Sequence, residues 1–119
     1  MAENSYPYTA KDGSCRYDGR GTGVKATSNQ MITASNISAM KNAVSQQPIS
    51  VLIEADRSVF SAYSSGVFNN SACGTSLDHA VSVVGYGSDG NQSYWIMRNS
   101  WGSSWGEQGY MRVAQVAGA

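Results

Sequence analysis

The chain has 119 residues, room for one domain of common size and too few for two ordinary ones. Eight Lys plus Arg balance eight Asp plus Glu, and the basic residues are scattered, which argues against a nucleic-acid partner because phosphate recognition needs clustered positive charge. The longest apolar run, Ala80 to Val84, is interrupted by Ser82 and is far shorter than the ~20 residues of a membrane helix, so a soluble chain with neither nucleic-acid nor membrane partner is expected. Charged residues make up 13% and hydrophobic ones 41%, a balance that predicts a packed core rather than disorder.

Residues 1 to 30 read as irregular: Tyr6-Pro-Tyr is followed by Lys-Asp-Gly, Asp-Gly and Gly-Thr-Gly, all turn chemistry. From Ser35 the pattern changes. Ile37, Met40 and Val44 fall three and four apart behind a Ser or Asn able to cap, and Pro48 closes a helix of roughly 10 residues. Ile49 to Ala55 alternates and is rich in branched residues, which predicts a strand with Ile49, Val51 and Ile53 on one face and Leu52 on the other. A short helix over Ser58 to Ser64 would carry Phe60 and Tyr63. His79 to Tyr86 reads as a buried strand, Ser88 to Gln92 as a hairpin loop containing Asp-Gly, Ser93 to Asn99 as the returning strand and Gly109 to Val113 as a further strand. The expected class is α+β: an antiparallel, partly closed, barrel-like sheet with short peripheral helices, in one domain over residues 1–119.

The N-terminal residues are polar and show no signal peptide. Three Asn-x-Ser sequons, at Asn36, Asn69 and Asn91, matter only if the chain enters a secretory route. Cys15 and Cys73 belong to no Cys-x-x-Cys pair and leave the compartment open.

The chemistry concentrates in the hairpin. A turn centred on Asp89 places His79 opposite Asn99, with Cβ atoms roughly 4.5 to 5.5 Å apart; a one-residue slip or a bulge would break the pairing. An Asn carboxamide oxygen can accept the N–H of one imidazole nitrogen and leave the other free to take a proton, the base and orienter of a nucleophilic triad. A lone strand histidine is, by itself, more often a hydrogen-bonded structural one. Asn99 however opens Asn-Ser-Trp-Gly-Ser-Ser-Trp-Gly. Trp101 there could cover the His/Asn bond and exclude water, while Trp105 is the better candidate for core filling.

Together, Leu77-Asp-His-Ala-Val, Val84-Gly-Tyr-Gly, Tyr94-Trp-Ile-Met-Arg-Asn-Ser-Trp-Gly, Trp105-Gly and Gly109-Tyr resemble the second half of a papain-like cysteine protease. Tyr6-Pro-Tyr, Cys15 and Gln47-Pro-Ile-Ser-Val-Leu-Ile fit the same family in order and spacing. The resemblance implies that His79 is the general base and acid, Asn99 its orienter, and Trp101 a shield on the leaving-group side of the cleft. It places Leu52 and Ala80 in the main specificity pocket, although plain packing suits Leu52 equally well, and has the backbone carbonyl of Asp78 meet the substrate. It implies no cofactor and no metal. Its partners are a peptide or protein substrate, the other half of the protease and cystatin-like inhibitors; its parent is lysosomal, vacuolar or secreted.

The family's nucleophile lies in Cys-Gly-[Ser/Ala]-Cys-[Trp/Tyr], roughly 130 to 150 residues before the His and Asn, and counting back from His79 runs out of chain. Neither Cys15 nor Cys73 opens a helix, where a reactive thiolate is favoured. The resemblance assigns both to structural disulfides, one with a Cys of the absent first half and one with a Cys beyond Ala119. The expectation is the sheet-rich half of a two-domain cysteine endopeptidase, inactive as an isolated chain. A catalytically dead homologue acting as a binding or structural module remains open. So does a metal site of Cys15, Cys73 and His79, though it lacks any recognised zinc spacing.

Overall fold

The computed structural model describes residues 2–20 and 23–116. The chain divides into two compact units, Met1–Met31 and Ile32–Ala119. The first has neither helix nor strand among its described residues, as its turn-rich sequence predicts. A backbone turn over residues 2–6 is joined by side-chain contacts: the Tyr8 N–H donates to Glu3 and the Arg16 N–H to the Tyr6 hydroxyl at 2.9 Å, with the Arg16 guanidinium 4.8 Å from the Tyr6 ring centroid.

The second unit begins with α1 (Ile37–Val44), whose N-terminus is capped by Asn36: the side-chain oxygen accepts the Ala39 N–H at 2.9 Å, meeting one of the orphan donors of the first turn. Strand β1 (Ile49–Ile53) alternates as predicted, with Ser50 and Leu52 exposed between half-buried Ile49, Val51 and Ile53. Helix α2 (Ser58–Ser61) carries buried Phe60, and β2 (Val67–Phe68), β3 (His79–Asp89), β4 (Gln92–Arg98) and β5 (Tyr110–Ala114) follow.

The strands form one sheet in the order β1-β3-β4-β5-β2. The α+β class holds, but the sheet is open at β1 and β2 rather than closed toward a barrel, and β2 lies parallel to β5. That two-residue strand carries no periodicity of its own. It is held by Tyr63, whose hydroxyl donates to the Gly66 carbonyl at 2.7 Å, and by Glu107, which accepts the Gly66 N–H at 2.8 Å.

The hairpin register differs from the sequence reading. The loop is only Gly90-Asn91, with Gly90 supplying the positive φ of +57° that a tight turn requires, so Asp89 faces Gln92. A regular ladder from that turn would put Asn99 opposite Ser82, on the face away from His79. A bulge intervenes: Val83 pairs with Met97 and Gly85 with Ile96, leaving Val84 extra. Beyond it Ser82 faces Arg98, and the next step places Asn99 across from Val81. His79 and Val81 share a face because strand side chains alternate, so Asn99 returns to the face of His79, one diagonal step away.

That same face bears the core. Phe60, Tyr63, Val81, Met97, Trp105 and Met111 form its buried centre, with Met111 fully enclosed and directly across β4/β5 from Met97. The aromatic rings interlock, Phe60 to Trp105 at 5.1 Å and Tyr63 to Trp105 at 5.6 Å between centroids.

Candidate active site

Asn99 is fixed by backbone bonds at the point where β4 ends. Its N–H donates to the Gly109 carbonyl at 3.0 Å, and the Gly109 N–H donates to the Trp105 carbonyl at 2.7 Å, folding the loop back on itself. Two glycines make this possible. Gly109 has φ +90° with the Gly102 carbonyl 3.1 Å from where a Cβ would lie, and Gly106 has φ +56° with the Tyr110 carbonyl at 2.6 Å, so any side chain at either position would be strained and crowded.

The Asn99 side-chain oxygen accepts the Ser100 N–H at 2.7 Å and stands 2.9 Å from His79 Nε2. The first contact identifies that atom as the oxygen, because a backbone N–H cannot donate to an amide NH2. Nε2 of the neutral ring must then carry the proton, and the lone pair is left on Nδ1. Asn99 is only 8% exposed, and its Nδ2 is buried with no acceptor among the described residues.

Trp101 lies against the His79 ring at 5.3 Å between centroids and 31° between planes, and its other side meets Phe60 and Trp105 edge-on at 5.4 and 5.6 Å. It stays 41% exposed beside the His79 ring. Trp105 is the buried anchor beneath it, 9% exposed with its indole N–H unpartnered among the described residues.

Asp78 plays a part that sequence reasoning missed. Its N–H donates to the Ile53 carbonyl at 3.0 Å, and its carboxylate accepts the Ala55 N–H at 2.7 Å and the Asp56 N–H at 3.2 Å. These bonds clamp the residue before His79 to the end of β1. Glu54 completes the clamp from beneath: 2% exposed, it pairs with the Arg57 guanidinium and accepts the Ser76 N–H at 2.5 Å. The Ser76 N–H first, and Arg57 second, hold its carboxyl below the usual carboxylate range. A Cβ at position 74 would overlap the Glu54 carboxylate, so a side chain there would displace Glu54 from its present position. The one sequence signal for this clamp was a Glu inside an apolar strand end.

Leu52 and Ala80 pair directly across β1 and β3. Both are exposed, Leu52 at 62%. Being one residue from Ile53 and His79, they project from the other side of the sheet, so a ligand touching all of these residues must cross the end of β3. Cys15 and Cys73 are exposed free thiols. No hydrogen bond joins Cys73 to His79, and no group of three or more metal-ligating side chains occurs, among the described residues. Of the sequon residues, Asn36 is the helix cap, Asn91 sits in the hairpin loop and Asn69 follows β2, all exposed.

A histidine oriented through one nitrogen by a buried asparagine, with a tryptophan against its ring, is consistent with the His/Asn pair of a cysteine protease. Residues 1–118 match the family described as papain family cysteine protease. The probable cysteine protease RD21C of Arabidopsis thaliana is 49% identical over 113 residues, covering 93% of this chain and 25% of that protein. Digestive cysteine proteinase 2 of Homarus americanus is 44% identical over 115 residues, 95% of this chain and 36% of that one. Among solved structures, the bromelain protease of Ananas comosus in complex with the E64 inhibitor superposes with a TM-score of 0.86 at 44% identity, covering 99% of this chain and 54% of that chain. The chain belongs to the papain family of cysteine proteases. It spans a quarter to about a third of these curated relatives and about half of the solved bromelain protease chain.

Proposed function

We propose that these 119 residues are the base-bearing half of a cysteine endopeptidase, supplying His79 and Asn99 to a Cys-His-Asn triad whose nucleophile belongs to another part of the protein. The observation that carries this reading is the contact from His79 Nε2 to an Asn99 oxygen independently fixed by Ser100. In the reaction, Nδ1 of His79 takes the thiol proton, and the thiolate attacks the scissile carbonyl carbon. The resulting imidazolium protonates the leaving amine as the C–N bond breaks, and water then hydrolyses the acyl-thioenzyme with His79 again as base. Trp101 excludes water from the His/Asn bond, and Asp78 sets the start of β3. Leu52 and Ala80 offer an apolar surface to a hydrophobic substrate side chain, and Asp78 a backbone carbonyl to the peptide.

The substrate is accordingly a peptide or protein, with a cystatin-like protein as inhibitor by family and no cofactor. Relatives include a digestive proteinase and the KDEL-tailed cysteine endopeptidase CEP2 of Arabidopsis thaliana, 46% identical over 112 residues, which supports a lysosomal, vacuolar or secreted site for the parent protein.

Two polypeptides test the reading: the isolated chain, and a chimera in which this chain replaces the matching part of the bromelain protease. With a fluorogenic peptide and reductant, the isolated chain should give no turnover, and the chimera should cleave in a manner blocked by E64 and abolished by His79→Ala. Turnover by the isolated chain that is lost in Cys15→Ala or Cys73→Ala would refute the missing-nucleophile reading. A folded chimera without activity would favour the catalytically dead homologue.

A further inference from the structure

The Asn-x-Ser sequons at Asn36, Asn69 and Asn91 lie outside the catalytic chemistry, and the fold gives them unequal surroundings. The amide oxygen of Asn36 caps α1 by accepting the Ala39 N–H at 2.9 Å, and Ser38 of the same sequon lies within that helix. Asn69 follows β2, and its sequon turns back at once: the Asn70 side-chain oxygen accepts the Ala72 N–H at 2.8 Å, and the Asn70 carbonyl accepts the Cys73 N–H at 3.0 Å. That turn leads to Gly74, against the Glu54 carboxylate, and on to Asp78 and His79. A bulky group on either Asn would press on a helix start or on the segment that positions the histidine.

Asn91 is placed differently. With Gly90 it forms the whole turn between β3 and β4, it is exposed, and its side chain makes no hydrogen bond among the described residues. Ser93, which completes the sequon, faces Ser88 two rungs into the hairpin, and the middle residue is Gln92 rather than the proline that the motif forbids. His79 opens the 11-residue β3 and Asn91 follows its other end, roughly 33 Å away along a strand that rises about 3.3 Å per residue. Asn99 likewise lies past the far end of β4. The closed end of the hairpin thus carries Asn91, and the open end carries the site.

That closed end also has a use for a hydrophilic cover. The chain has a net charge of zero, which leaves little repulsion between copies. On the same hairpin Tyr86 stays 44% exposed, its ring 6.1 Å from that of Trp95.

We infer that Asn91 is an attachment site for an N-linked oligosaccharide, a bulky and solubilising surface group. In the transfer, Asn91 Nδ2 attacks the anomeric carbon of a lipid-diphosphate-linked sugar. An Nδ2–carbon bond forms, the bond from that carbon to the diphosphate oxygen breaks, the lipid diphosphate leaves with the electron pair, and the displaced Nδ2 proton passes to a base of the transferase. This rests on the proposed lysosomal, vacuolar or secreted location of the parent protein and is independent of the chemistry at His79.

Translation of the chain behind a cleavable secretory leader, with endoplasmic-reticulum vesicles present, tests the acceptor directly, because the leader imposes the route wherever the parent protein resides. A gel shift removed by peptide N-glycosidase is expected, with one step of it lost in Asn91→Gln and equally in Ser93→Ala, and peptide mapping should place a glycan on Asn91. Unchanged mobility in Asn91→Gln, or glycans mapped only to Asn36 or Asn69, would overturn the inference. Finding the parent protein in the cytosol would instead refute the proposed location, and the vesicle result would distinguish the two failures. In the bromelain chimera, E64-sensitive turnover should be the same before and after removal of the glycan; a rise on removal would contradict the placement of Asn91 away from the site.

Discussion

Replacing Trp105 with alanine is expected to cost about 3–5 kcal/mol, the usual penalty for removing a large buried aromatic. Trp105 touches Phe60, Tyr63 and Trp101 within 5.1–5.6 Å between centroids, and nothing nearby can collapse into the space without dismantling the loop that carries Asn99. Against a total stability of about 5–15 kcal/mol for a domain, that loss leaves the second unit marginal or unfolded. Urea titration followed by far-UV circular dichroism gives the change directly. The consequence reaches the site as well, since Trp101 rests on Trp105 and covers His79. Trp105→Phe should recover much of the loss, and a shift below about 1 kcal/mol in Trp105→Ala would show that the aromatic cluster does not organise this unit.

The second large effect is expected at Glu107. Its carboxylate receives Arg112 through Nε at 3.0 Å and Nη2 at 2.7 Å, and also the Gly66 N–H, so it ties β5 to the start of β2. Glu107→Ala leaves Arg112 and Gly66 without an acceptor. A fully buried pair loses about 3–5 kcal/mol when one partner is removed. Here the two side chains are 28% and 29% exposed, and solvent screening reduces the expected cost to roughly 2–3 kcal/mol.

The pair also predicts acid sensitivity. Hydrogen bonds from Arg112, chiefly, and then from Gly66 hold the Glu107 carboxyl below its usual range against the opposing effect of burial. A depressed folded-state pKa means that the stabilisation is complete above the unfolded value, about 4.3, and is lost as pH falls through the lower folded value. Stability measured between pH 6 and pH 3 should therefore fall less steeply in Glu107→Gln than in the parent chain. Part of the acid loss should remain, because Glu54 is depressed in the same direction. Identical slopes would mean that the pair contributes no linkage.

Much of this was legible in the sequence where the signal was local. The Ile49–Ile53 alternation, the Asn36 cap and the branched run before the Asp-Gly turn each specify their element through nearby residues alone. The His79–Asn99 pairing was legible for a subtler reason. The turn position inferred from Asp-Gly was off, and a regular ladder from the true turn would have put the two residues on opposite faces. The extra residue at Val84 cancels that parity, and Gly85 beside it is the one local sign of a bulge.

What stayed hidden depends on contacts between distant segments. The parallel β2/β5 pair exists because Tyr63, Gly66, Glu107 and Arg112 meet. The clamp at Asp78 exists because Glu54 finds Gly74 and Ser76 some twenty residues on.

We propose that Asn99 prepares His79 as a base, with the ring proton on Nε2 and the lone pair on Nδ1. Long-range proton–nitrogen correlation NMR of the neutral His79 ring in the isolated, nitrogen-15-labelled chain tests it most directly, as His79 is the sole histidine. A protonated Nε2 and an unprotonated Nδ1 are expected in the parent chain, becoming a tautomer mixture in Asn99→Ala. A ring protonated at Nδ1, or a mixture unchanged by Asn99→Ala, would contradict it.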